Sequence, residues 1–462
     1  MKIHDTLSSV EQKLDTTKKI KIYLCGVTVY DESHIGHART IIVFDVLRKY
    51  LESKGIEIDL VQNFTDVDDK IINRANSENT TAEEISTKYI KNYFKDFDEL
   101  NVKRATNYPK ATEHIKEIIE FIEKLIKKQM AYPSKNGVYF SVSKFSEYGK
   151  LSKKKIDELQ SGSRIEIDES KKDPLDFAIW KFSDIKPVWE SPWGKGRPGW
   201  HIECSAMINA LLGEEIDFHC GGNDLIFPHH ENELAQSKAA KPNKNFVKYW
   251  LHNGMINLSG KKMSKSEGNV KILKDYIDDY SGDVMRFYFL RAQYRSPQEF
   301  TEDLLIESRT TFKKISEFVE DSKSAPIDKN LLHIFEACMG DDLNTPKLIG
   351  EIFIQINQSL TLEEEELQNL RSTVRFIFDI LGFTFTKGEN EKLHKDKLIK
   401  FFEEYKIIFE TIEQAMSEFI NIREKYRLER EYKIADEMRN KLLEIGIKIE
   451  DGKKDGWSWN NN

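Results

Sequence analysis

Cysteine is scarce in this sequence: the 462 residues include 4, which are Cys25, Cys204, Cys220 and Cys338. So few thiols exclude a disulfide framework and indicate a reducing compartment, where thiols can serve metal binding or catalysis. Long apolar runs are also missing, since no stretch approaches the roughly 20 apolar residues that a membrane helix needs. The segment 1–15 lacks the apolar core of a signal peptide. We therefore expect a cytoplasmic protein that does not span a membrane.

A strong charge of one sign is absent too. The 70 Lys and Arg residues nearly balance the 78 Asp and Glu residues, for a net charge of -8. That value neither requires nor excludes a nucleic-acid partner, because a large enzyme can carry a local basic groove on an acidic body. With 39% hydrophobic and 11% aromatic residues, the chain is typical of folded proteins. Its length predicts about two to four domains.

The pattern of apolar residues predicts an α/β fold. Residues 18–29 alternate in polarity like a strand, and residues 31–55 repeat at helical spacing. A second strand follows at 56–64, and carboxylates at 66–75 mark the start of another helix. This alternation predicts a parallel sheet with right-handed crossovers, whose ligands lie beyond the carboxyl ends of the strands.

Residues 113–199 interrupt the alternation with a helix, short β-like pieces and a loop rich in Gly, Pro and Trp. We interpret them as an insertion. Parallel-sheet character resumes at 214–222, and the next helix is predicted to begin at Pro228, since proline favours the first helical position. Residues 313–445 have a helical pattern almost throughout.

Two histidines, His34 and His37, stand at the predicted start of the first long helix, in the motif His-Ile-Gly-His. Both side chains and the unpaired backbone N–H groups of this helix start can face one anion. Gly36 allows a ligand to approach the backbone closely. The alternative is that the histidines only cap the helix, and the motif alone does not decide between the two interpretations.

A predicted loop is rich in lysine. Its core, Lys-Met-Ser-Lys-Ser at 262–266, follows Lys261 and precedes a glycine, so ammonium and hydroxyl groups can surround a triphosphate. The alternative is a solvated run of lysines. The two motifs occur together, one after the first strand and one after the sheet, and this pair resembles the signature of the class I aminoacyl-tRNA synthetases.

That resemblance implies that ATP, with Mg²⁺, is a substrate. An amino-acid carboxylate would attack the α-phosphate and give an aminoacyl adenylate and pyrophosphate. The resemblance assigns catalysis to His34, His37, Lys262 and Lys265. It assigns nucleotide binding to His34, Gly36, His37, Lys262, Met263, Ser264, Lys265 and Ser266.

A candidate metal site is formed by four residues, Cys25, Cys204, His229 and Glu233. His229 and Glu233 are spaced i,i+4 on one face of a helix, and the two thiols are predicted on loops near the strand ends. Two sulfurs, one imidazole nitrogen and one carboxylate oxygen suit Zn²⁺. Taken singly, each residue has an ordinary alternative as a buried core thiol, a helix cap or a solvated surface charge.

Segments from about residue 20 to the end resemble the cysteinyl-tRNA synthetase family within class I. They are CGVTVYDESHIGHAR, NFTDVDDKI, GRPGWHIECSAM, DLIFPHHENE and KMSKSEGN. The resemblance implies one zinc ion per chain, held by Cys25, Cys204, His229 and Glu233, with the substrate thiolate as a further ligand. Because a soft thiolate binds zinc far better than a serine hydroxyl does, no editing domain is needed.

The same resemblance places four residues around the substrate: Thr65, Trp200, His219 and Asp224. Trp200 and His219 would be walls near the thiol, and Asp224 would lie near the amino group. Each of the four has a structural role as its alternative. Cys220 departs from the family, which commonly has a glycine there, and its role stays open.

The carboxyl-terminal region resembles the family's anticodon-binding region. The positions that contact the anticodon there are Arg427, Tyr432, Asp436 and Asp451. Carboxylates can accept hydrogen bonds from guanine or cytosine, and an aromatic ring can stack on a splayed base. A helical stabilising domain is the alternative. The implied partners are tRNA(Cys), L-cysteine and ATP, and we expect a monomer.

These features predict a Rossmann-like parallel-sheet catalytic domain with an inserted connective domain. A mainly α-helical carboxyl-terminal half with a small terminal anticodon-binding unit follows. The predicted segments are the catalytic halves 1–112 and 200–245, the connective insertion 113–199, the KMSKS-containing stem-contact region 246–312, the helical bundle 313–400 and the anticodon-binding domain 401–462.

Three rival interpretations make different predictions. A cysteine ligase of thiol biosynthesis shares the catalytic half but lacks a full anticodon domain. A non-catalytic tRNA-binding paralogue tends to lose one of the motif or metal residues. A synthetase for another amino acid, with a purely structural zinc ion, would place the metal far from the substrate pocket.

Overall fold

The computed structural model describes residues 1–15, 19–155, 170–258, 260–262, 270–385, 398, 401–407, 411–444, 447–449 and 457–459. It divides into two compact units. The first comprises Met1–Ile277 and Gly282–Thr384, and the second comprises Asp278–Ser281 and Phe385–Asn462. Within the described ranges, none of the helices combines the length and the apolar character needed to cross a membrane.

Strands and helices alternate early in the chain, and helices dominate later. The strands are β1 (Lys2–Asp5), β2 (Val10–Lys13), β3 (Lys19–Thr28), β4 (Glu57–Thr65), β5 (Ala131–Ser134), β6 (Gly137–Phe140), β7 (Phe177–Phe182), β8 (Gly196–Pro198), β9 (Ile216–Gly222), β10 (Val247–Asn253), β11 (Ile256–Leu258), β12 (Lys261–Lys262), β13 (Gln298–Glu299), β14 (Ile447–Ile449) and β15 (Trp457–Trp459). The helices are α1 (Ile35–Ser53), α2 (Asp69–Glu78), α3 (Ala82–Glu99), α4 (Ile115–Lys127), α5 (Trp200–Leu211), α6 (Glu231–Ala240), α7 (Leu273–Tyr280), α8 (Gly282–Leu290), α9 (Glu302–Glu320), α10 (Lys329–Met339), α11 (Thr345–Gln358), α12 (Glu364–Ile380), α13 (Ile412–Leu428) and α14 (Tyr432–Glu444).

Four parallel strands form the central sheet, in the order β10, β9, β3, β4. Strand β9 is buried along its whole length, as expected for a parallel sheet that is covered on both faces. Helix α1 connects the neighbouring parallel strands β3 and β4, so the predicted strand–helix–strand unit is confirmed. Because the strands are parallel, their carboxyl ends meet at one edge, where a ligand is expected.

A short hairpin, β1 with β2, precedes the sheet and was not predicted. Its loop is fastened to strand β10, because the backbone N–H of Thr6 donates to the carbonyl of Trp250 at 2.9 Å. The Asp5 carboxylate accepts the N–H of Trp250, also at 2.9 Å. These bonds satisfy backbone groups at the edge of the sheet, which would otherwise be open to pairing with another chain.

The insertion contains an antiparallel sheet of four strands, in the order β5, β6, β7, β8. Helix α4 covers it with buried residues at helical spacing, Ile118, Phe121, Ile122 and Leu125. That stripe is the apolar face that periodicity predicts for a helix packed on a core. The buried Trp180 belongs to the same hydrophobic cluster.

The predicted helical region is confirmed by α9 to α12 in the first unit. In the second unit, α13 and α14 are followed by the antiparallel pair β14 and β15. Arg423 is 2% exposed, and its Nε donates to the carbonyl of Ala435 at 3.0 Å. This bond joins the two helices, so the second unit has a fixed helical hairpin.

Candidate active site and metal centre

Helix α1 begins at the predicted histidine motif. His34 is the N-cap residue, and its Nδ1 accepts the backbone N–H of His37 at 3.3 Å. The Nδ1 of His37 accepts the N–H of His34 at 3.4 Å, and the two rings stack with centroids 3.5 Å apart. The two histidines therefore cap the helix, and their nucleotide role stays a prediction. Since each Nδ1 is an acceptor, a neutral ring carries its proton on Nε2, where it can be donated to an anion.

Cys25 was predicted on a loop near a strand end, but it lies within β3, at a bulge. The pairing with β4 passes from Leu24 opposite Gln62 to Val27 opposite Phe64, so Cys25 and Gly26 share one partner position. A β-bulge rotates the local backbone and redirects a side chain. Glycine is required at the second position, because a Cβ on Gly26 would lie 1.6 Å from the carbonyl oxygen of Asn63.

Cys204 was predicted on a loop near a strand end, and that prediction is wrong. It lies within helix α5, four residues after Trp200, and is 1% exposed. The i,i+4 spacing puts both side chains on the same helix face. The helix thereby presents a thiol and an aromatic ring to the carboxyl edge of the central sheet.

His229 lies in the turn that leads into α6, and Glu233 lies in the first turn of α6 itself. The helical turn Ile226–His230 precedes that helix, and Phe227 has the extended angles φ -136 and ψ 130. Helical backbone thus begins after Phe227, at Pro228, as predicted. The i,i+4 pair faces inward, with the Nε2 of His229 2.9 Å from Oε1 of Glu233.

The four predicted metal ligands converge. They are all buried, and their ligand atoms lie within 4.8 Å of one another. The Sγ atoms of Cys25 and Cys204 are 3.8 Å apart, and the Sγ of Cys204 is 3.6 Å from Nε2 of His229. The Sγ of Cys25 is 3.8 Å from Oε1 of Glu233.

These separations fit a tetrahedral ion. Bond lengths of about 2.3 Å from zinc to sulfur and about 2.05 Å to nitrogen require sulfur atoms about 3.8 Å apart and sulfur about 3.6 Å from nitrogen. Both observed distances agree. The separation between His229 and Glu233 is that of a hydrogen bond and must lengthen by roughly 0.5 Å to share zinc. The donor set therefore suits a metal with mixed sulfur, nitrogen and oxygen ligands.

The charges within the cluster favour binding of a cation. Burial raises the pKa of Cys204, but hydrogen bonding from Cys25 and the nearby His229 outweigh it and lower the pKa to about 6. Burial likewise opposes ionisation of Glu233, yet His219 and His229 lower its pKa to about 2. Burial, and to a smaller extent the neighbouring Cys204, raises the pKa of the Cys25 thiol well above its ordinary value. One thiolate and one carboxylate are thus present at neutral pH.

Two further histidines lie within hydrogen-bond distance of the predicted ligands. The Nδ1 atoms of His201 and His229 are 3.0 Å apart, and Nε2 of His219 is 2.8 Å from Oε2 of Glu233. Such partners fix the orientation of metal ligands. His219 was predicted as a wall of the pocket, whereas His201 was missed although it lies in the same motif as Cys204.

The other predicted substrate residues surround this cluster. The ring of Trp200 stacks on His229, with centroids 4.2 Å apart, and remains 38% exposed. Thr65 lies at the carboxyl end of β4, and its hydroxyl donates to Glu203 at 3.0 Å. Burial raises the pKa of Glu203 well above its ordinary value. Glu203 was also missed, because its neighbour Cys204 carried the recognisable signal.

Asp224 and Cys220 lie near the edge without joining the ligand set. Asp224 is exposed in the turn Asn223–Leu225 that follows β9. Cys220 lies in β9 and is fully buried, and burial raises the pKa of its thiol well above the ordinary range. The side chain next to it, that of His219, reaches the cluster.

The KMSKS segment begins in β12, one strand of the small sheet whose order is β12, β11, β13. Lys262 is in β12, paired with Asn257 of β11. The predicted nucleotide ligands Met263, Ser264, Lys265 and Ser266 lie outside the described residues.

Three of the four predicted RNA contacts lie on one helical hairpin. Arg427 is near the end of α13 and pairs with Glu424 at 3.0 Å. Tyr432 opens α14 and is 57% exposed. Asp436 is exposed one turn later, and Asp451 lies outside the described residues.

Family comparisons agree with this fold and site. The family model described as tRNA synthetases class I (C) catalytic domain matches residues 11–310, and the DALR domain model matches residues 334–386. The fold and site define a class I aminoacyl-tRNA synthetase. Relatives then distinguish the branch: a cysteine–tRNA ligase of Thermodesulfovibrio yellowstonii is 46% identical over 99% of each chain. One from Sulfurihydrogenibium sp. is 42% identical over 98% of each chain. The chain belongs to the cysteine–tRNA ligase family.

Solved structures support the fold more broadly. Mycobacterium tuberculosis methionyl-tRNA synthetase in complex with methionyl-adenylate has a TM-score of 0.56 at 14% identity, covering 79% of this chain and 90% of that one. A leucyl-tRNA synthetase ternary complex from Agrobacterium radiobacter K84 has a TM-score of 0.59 at 9% identity, covering 82% and 85%. At such low identity these likenesses establish the shared fold.

Proposed function

We propose that this enzyme activates L-cysteine with ATP and Mg²⁺ and transfers the cysteinyl group to tRNA(Cys), with one zinc ion per chain selecting the thiol. The observation that carries the specificity is the convergence of Cys25, Cys204, His229 and Glu233. Cys25 of this cluster lies on β3, the strand that leads into the histidine motif, so amino-acid selection and nucleotide binding would share one edge of the sheet.

The metal would be held by the four clustered donors. When bound, zinc supplies a soft Lewis-acid position for the substrate thiolate, which a serine hydroxyl fills poorly. Shape alone rejects an isosteric substrate by only about a hundredfold. Trp200, stacked on a ligand and partly exposed, is placed to border the bound side chain.

In the activation step, a carboxylate oxygen of cysteine attacks the α-phosphorus of ATP. The bond from that phosphorus to the bridging oxygen breaks, and pyrophosphate leaves with the electron pair. We assign His34 and His37 to donate Nε2–H groups to the phosphate oxygens, and the helix N-terminus to stabilise the developing negative charge. Gly36, the lysines Lys262 and Lys265, and the remaining KMSKS residues complete the proposed nucleotide site.

The transfer step needs the tRNA. We propose that Arg427, Tyr432 and Asp436, with Asp451, contact the anticodon, because they occupy the family's contact positions. The exposed ring of Tyr432 suits stacking on an unpaired base. The six predicted domain segments, a monomeric state and a cytoplasmic location are parts of the same proposal. The four free thiols favour that location, since disulfides are rare in the cytosol.

The proposal is tested by elemental analysis together with ATP–pyrophosphate exchange against cysteine, serine and methionine, followed by tRNA charging. We expect about one zinc ion per chain, exchange that depends on cysteine, and charging of tRNA(Cys). Exchange driven best by serine or methionine would overturn the specificity. Exchange without charging would favour a cysteine ligase of another pathway.

A further inference from the structure

Arg39 is a fully buried residue of helix α1 that the proposed chemistry does not use. It is 0% exposed and lies two residues after His37. Within the described part of the chain, no carboxylate forms an ion pair with it. Burial lowers the pKa of its guanidinium to about 10. A buried charge without a counter-ion is unfavourable unless many hydrogen bonds surround it.

The guanidinium instead binds backbone carbonyls from two segments. Its Nη1 donates to Gly254 and Met255 at 2.9 Å each, and its Nη2 donates to Ser296 at 2.6 Å. Gln293 and Tyr294 add longer contacts of 3.4 Å. A planar guanidinium with several donors can join two segments of the chain in this way, whereas a lysine ammonium cannot reproduce its geometry.

These carbonyls belong to the two segments that lead into a pair of strands. Met255 precedes β11 and Ser296 precedes β13, and β11 pairs with both β13 and β12, the strand of Lys261 and Lys262. The bonds of Arg39 therefore connect the helix of the histidine motif to the sheet from which the KMSKS segment departs.

A second connection lies on the far side of that segment. The N–H of Ile35 donates to the carbonyl of Lys271 at 3.1 Å, and the N–H of Leu273 donates to Ser33 at 2.8 Å. Ile272 forms a bridge with His34 itself. The chain therefore leaves residues 263–269 at a point bonded to the start of α1. It enters them from β12, whose partner β11 directly follows carbonyls that Arg39 holds.

We propose that Arg39 is a positioning residue, which fixes the strands leading into the KMSKS segment relative to His34 and His37. The inference rests on the proposed nucleotide function of those motifs. With Arg39 replaced, the histidine motif and the KMSKS segment would no longer be held in a fixed relative position. ATP would then bind more weakly or react more slowly. Cysteine would still bind at the metal cluster, since Arg39 contacts none of its ligands.

Two substitutions disturb the junction from opposite sides. Arg39→Lys keeps the charge and removes the fork. Gly254→Ala leaves Arg39 unchanged, but its Cβ would lie 2.1 Å from the carbonyl oxygen of Ser296 and would push the two segments apart. If one variant fails to fold, the other still decides the question.

Arg286 provides a matched control. It is also 0% exposed, and it donates to the carbonyls of Leu100 at 2.8 Å and Leu381 at 2.9 Å. Unlike Arg39 it forms an ion pair, with Asp45 of α1 at 2.8 Å, and a lysine at this position keeps the charge that this pair needs. None of its partners is in the histidine motif or beside β11. Arg286→Lys therefore measures the general effect of losing a buried guanidinium fork.

The experiment is ATP–pyrophosphate exchange, with separate KM values for ATP and cysteine and active sites counted by the adenylate burst. We expect Arg39→Lys and Gly254→Ala to raise KM for ATP or lower kcat per active site, with a loss of about tenfold to a hundredfold in kcat/KM for ATP. KM for cysteine and zinc content should change less than about twofold, and Arg286→Lys should leave kcat/KM for ATP unchanged per active site.

Equal effects in Arg39→Lys and Arg286→Lys, or parallel losses of cysteine and ATP binding, would show a merely structural role. Wild-type enzyme without cysteine-dependent exchange would instead refute the proposed function. The two failures are thus distinguishable.

Discussion

The sulfur atoms of Cys25 and Cys204 lie 3.8 Å apart, although 179 positions separate the two residues in the chain. The first stands at a bulge in β3 and the second faces it from α5. No disulfide links them, and the separation is that of two sulfurs on one tetrahedral ion. The metal cluster is therefore a product of the fold as a whole.

Loss of either of two ligands should abolish zinc retention. Cys204→Ser removes a soft donor and Glu233→Gln removes the carboxylate, so we expect purified variants to contain little zinc and to lose at least about a hundredfold in cysteine-dependent exchange. Elemental analysis and exchange assays measure both effects. Cys338→Ser, which alters a buried thiol on α10, is the control and should keep its metal. Full zinc content in Glu233→Gln would show that Glu233 is not a metal ligand.

Zinc affinity should rise steeply with pH. Although burial opposes it, Glu233 raises the pKa of His229 to about 10, and the Cys25 thiol pKa lies well above its ordinary value. Both groups are protonated at neutral pH and must lose their protons to bind metal, so binding releases about two protons. Competition with a chelator from pH 6.5 to 8 should show apparent affinity increasing by up to roughly a hundredfold per pH unit. A pH-independent affinity would contradict these protonation states.

The capping and nucleotide roles of His34 can be separated. Asparagine is a strong N-cap, so His34→Asn should alter the free energy of unfolding by less than about 0.5 kcal/mol. It removes the Nε2–H donor, so exchange should fall about a hundredfold, the effect of roughly 3 kcal/mol. Denaturant unfolding and exchange are compared in the same variant. ATP–pyrophosphate exchange at the wild-type rate would show that His34 acts only as a helix cap.

The same loss is expected for His37→Ala, with added destabilisation from the broken capping box, and for Lys265→Ala. His333→Ala, on the exposed surface of α10, is the control for removal of a histidine. Exchange within a few-fold of wild type in both His37→Ala and Lys265→Ala would refute the nucleotide assignment.

Tyr432→Ala should weaken tRNA charging without changing adenylate formation. Loss of one stacked base corresponds to about 1–3 kcal/mol, or roughly tenfold or more in kcat/KM for tRNA. The control is Leu443→Ala, at the other end of the same helix and 45% exposed. Similar charging by the two variants would argue against base stacking at Tyr432.

Much of this architecture follows from the pattern of the sequence. The periodicity of 18–29 and 31–55 identifies β3 and α1 because neighbouring residues determine strand and helix. The β1 and β2 hairpin escaped prediction, since each strand has four residues and its stabilising bonds reach Trp250. The ligand residues were recognisable by type and motif. Cys204 was misplaced on a loop because residues 202–208 of α5 are all buried, so the helix lacks the polar face by which periodicity identifies a surface helix.

Contacts between residues that are far apart in the chain could not be predicted from the sequence. Arg39 bonds to carbonyls as many as 257 positions away, and backbone carbonyls leave no signature in a sequence. His201 and Glu203 flank recognisable residues, yet their roles depend on contacts with His229 and Thr65 that only the folded chain provides. Residues 194–199 have the spacing G-x-G-x-x-G. They form the end of a loop and the antiparallel strand β8, so they are not the parallel strand-to-helix turn of a dinucleotide site.

The central claim is that the metal cluster selects cysteine. The most direct test is the ratio of kcat/KM for cysteine to that for serine in ATP–pyrophosphate exchange with the zinc-loaded enzyme. We predict a ratio far above the roughly hundredfold that a shaped pocket alone provides, falling sharply when zinc is removed by chelation and returning when it is restored. A ratio at or below about a hundredfold, or one unaffected by the metal, would contradict the account.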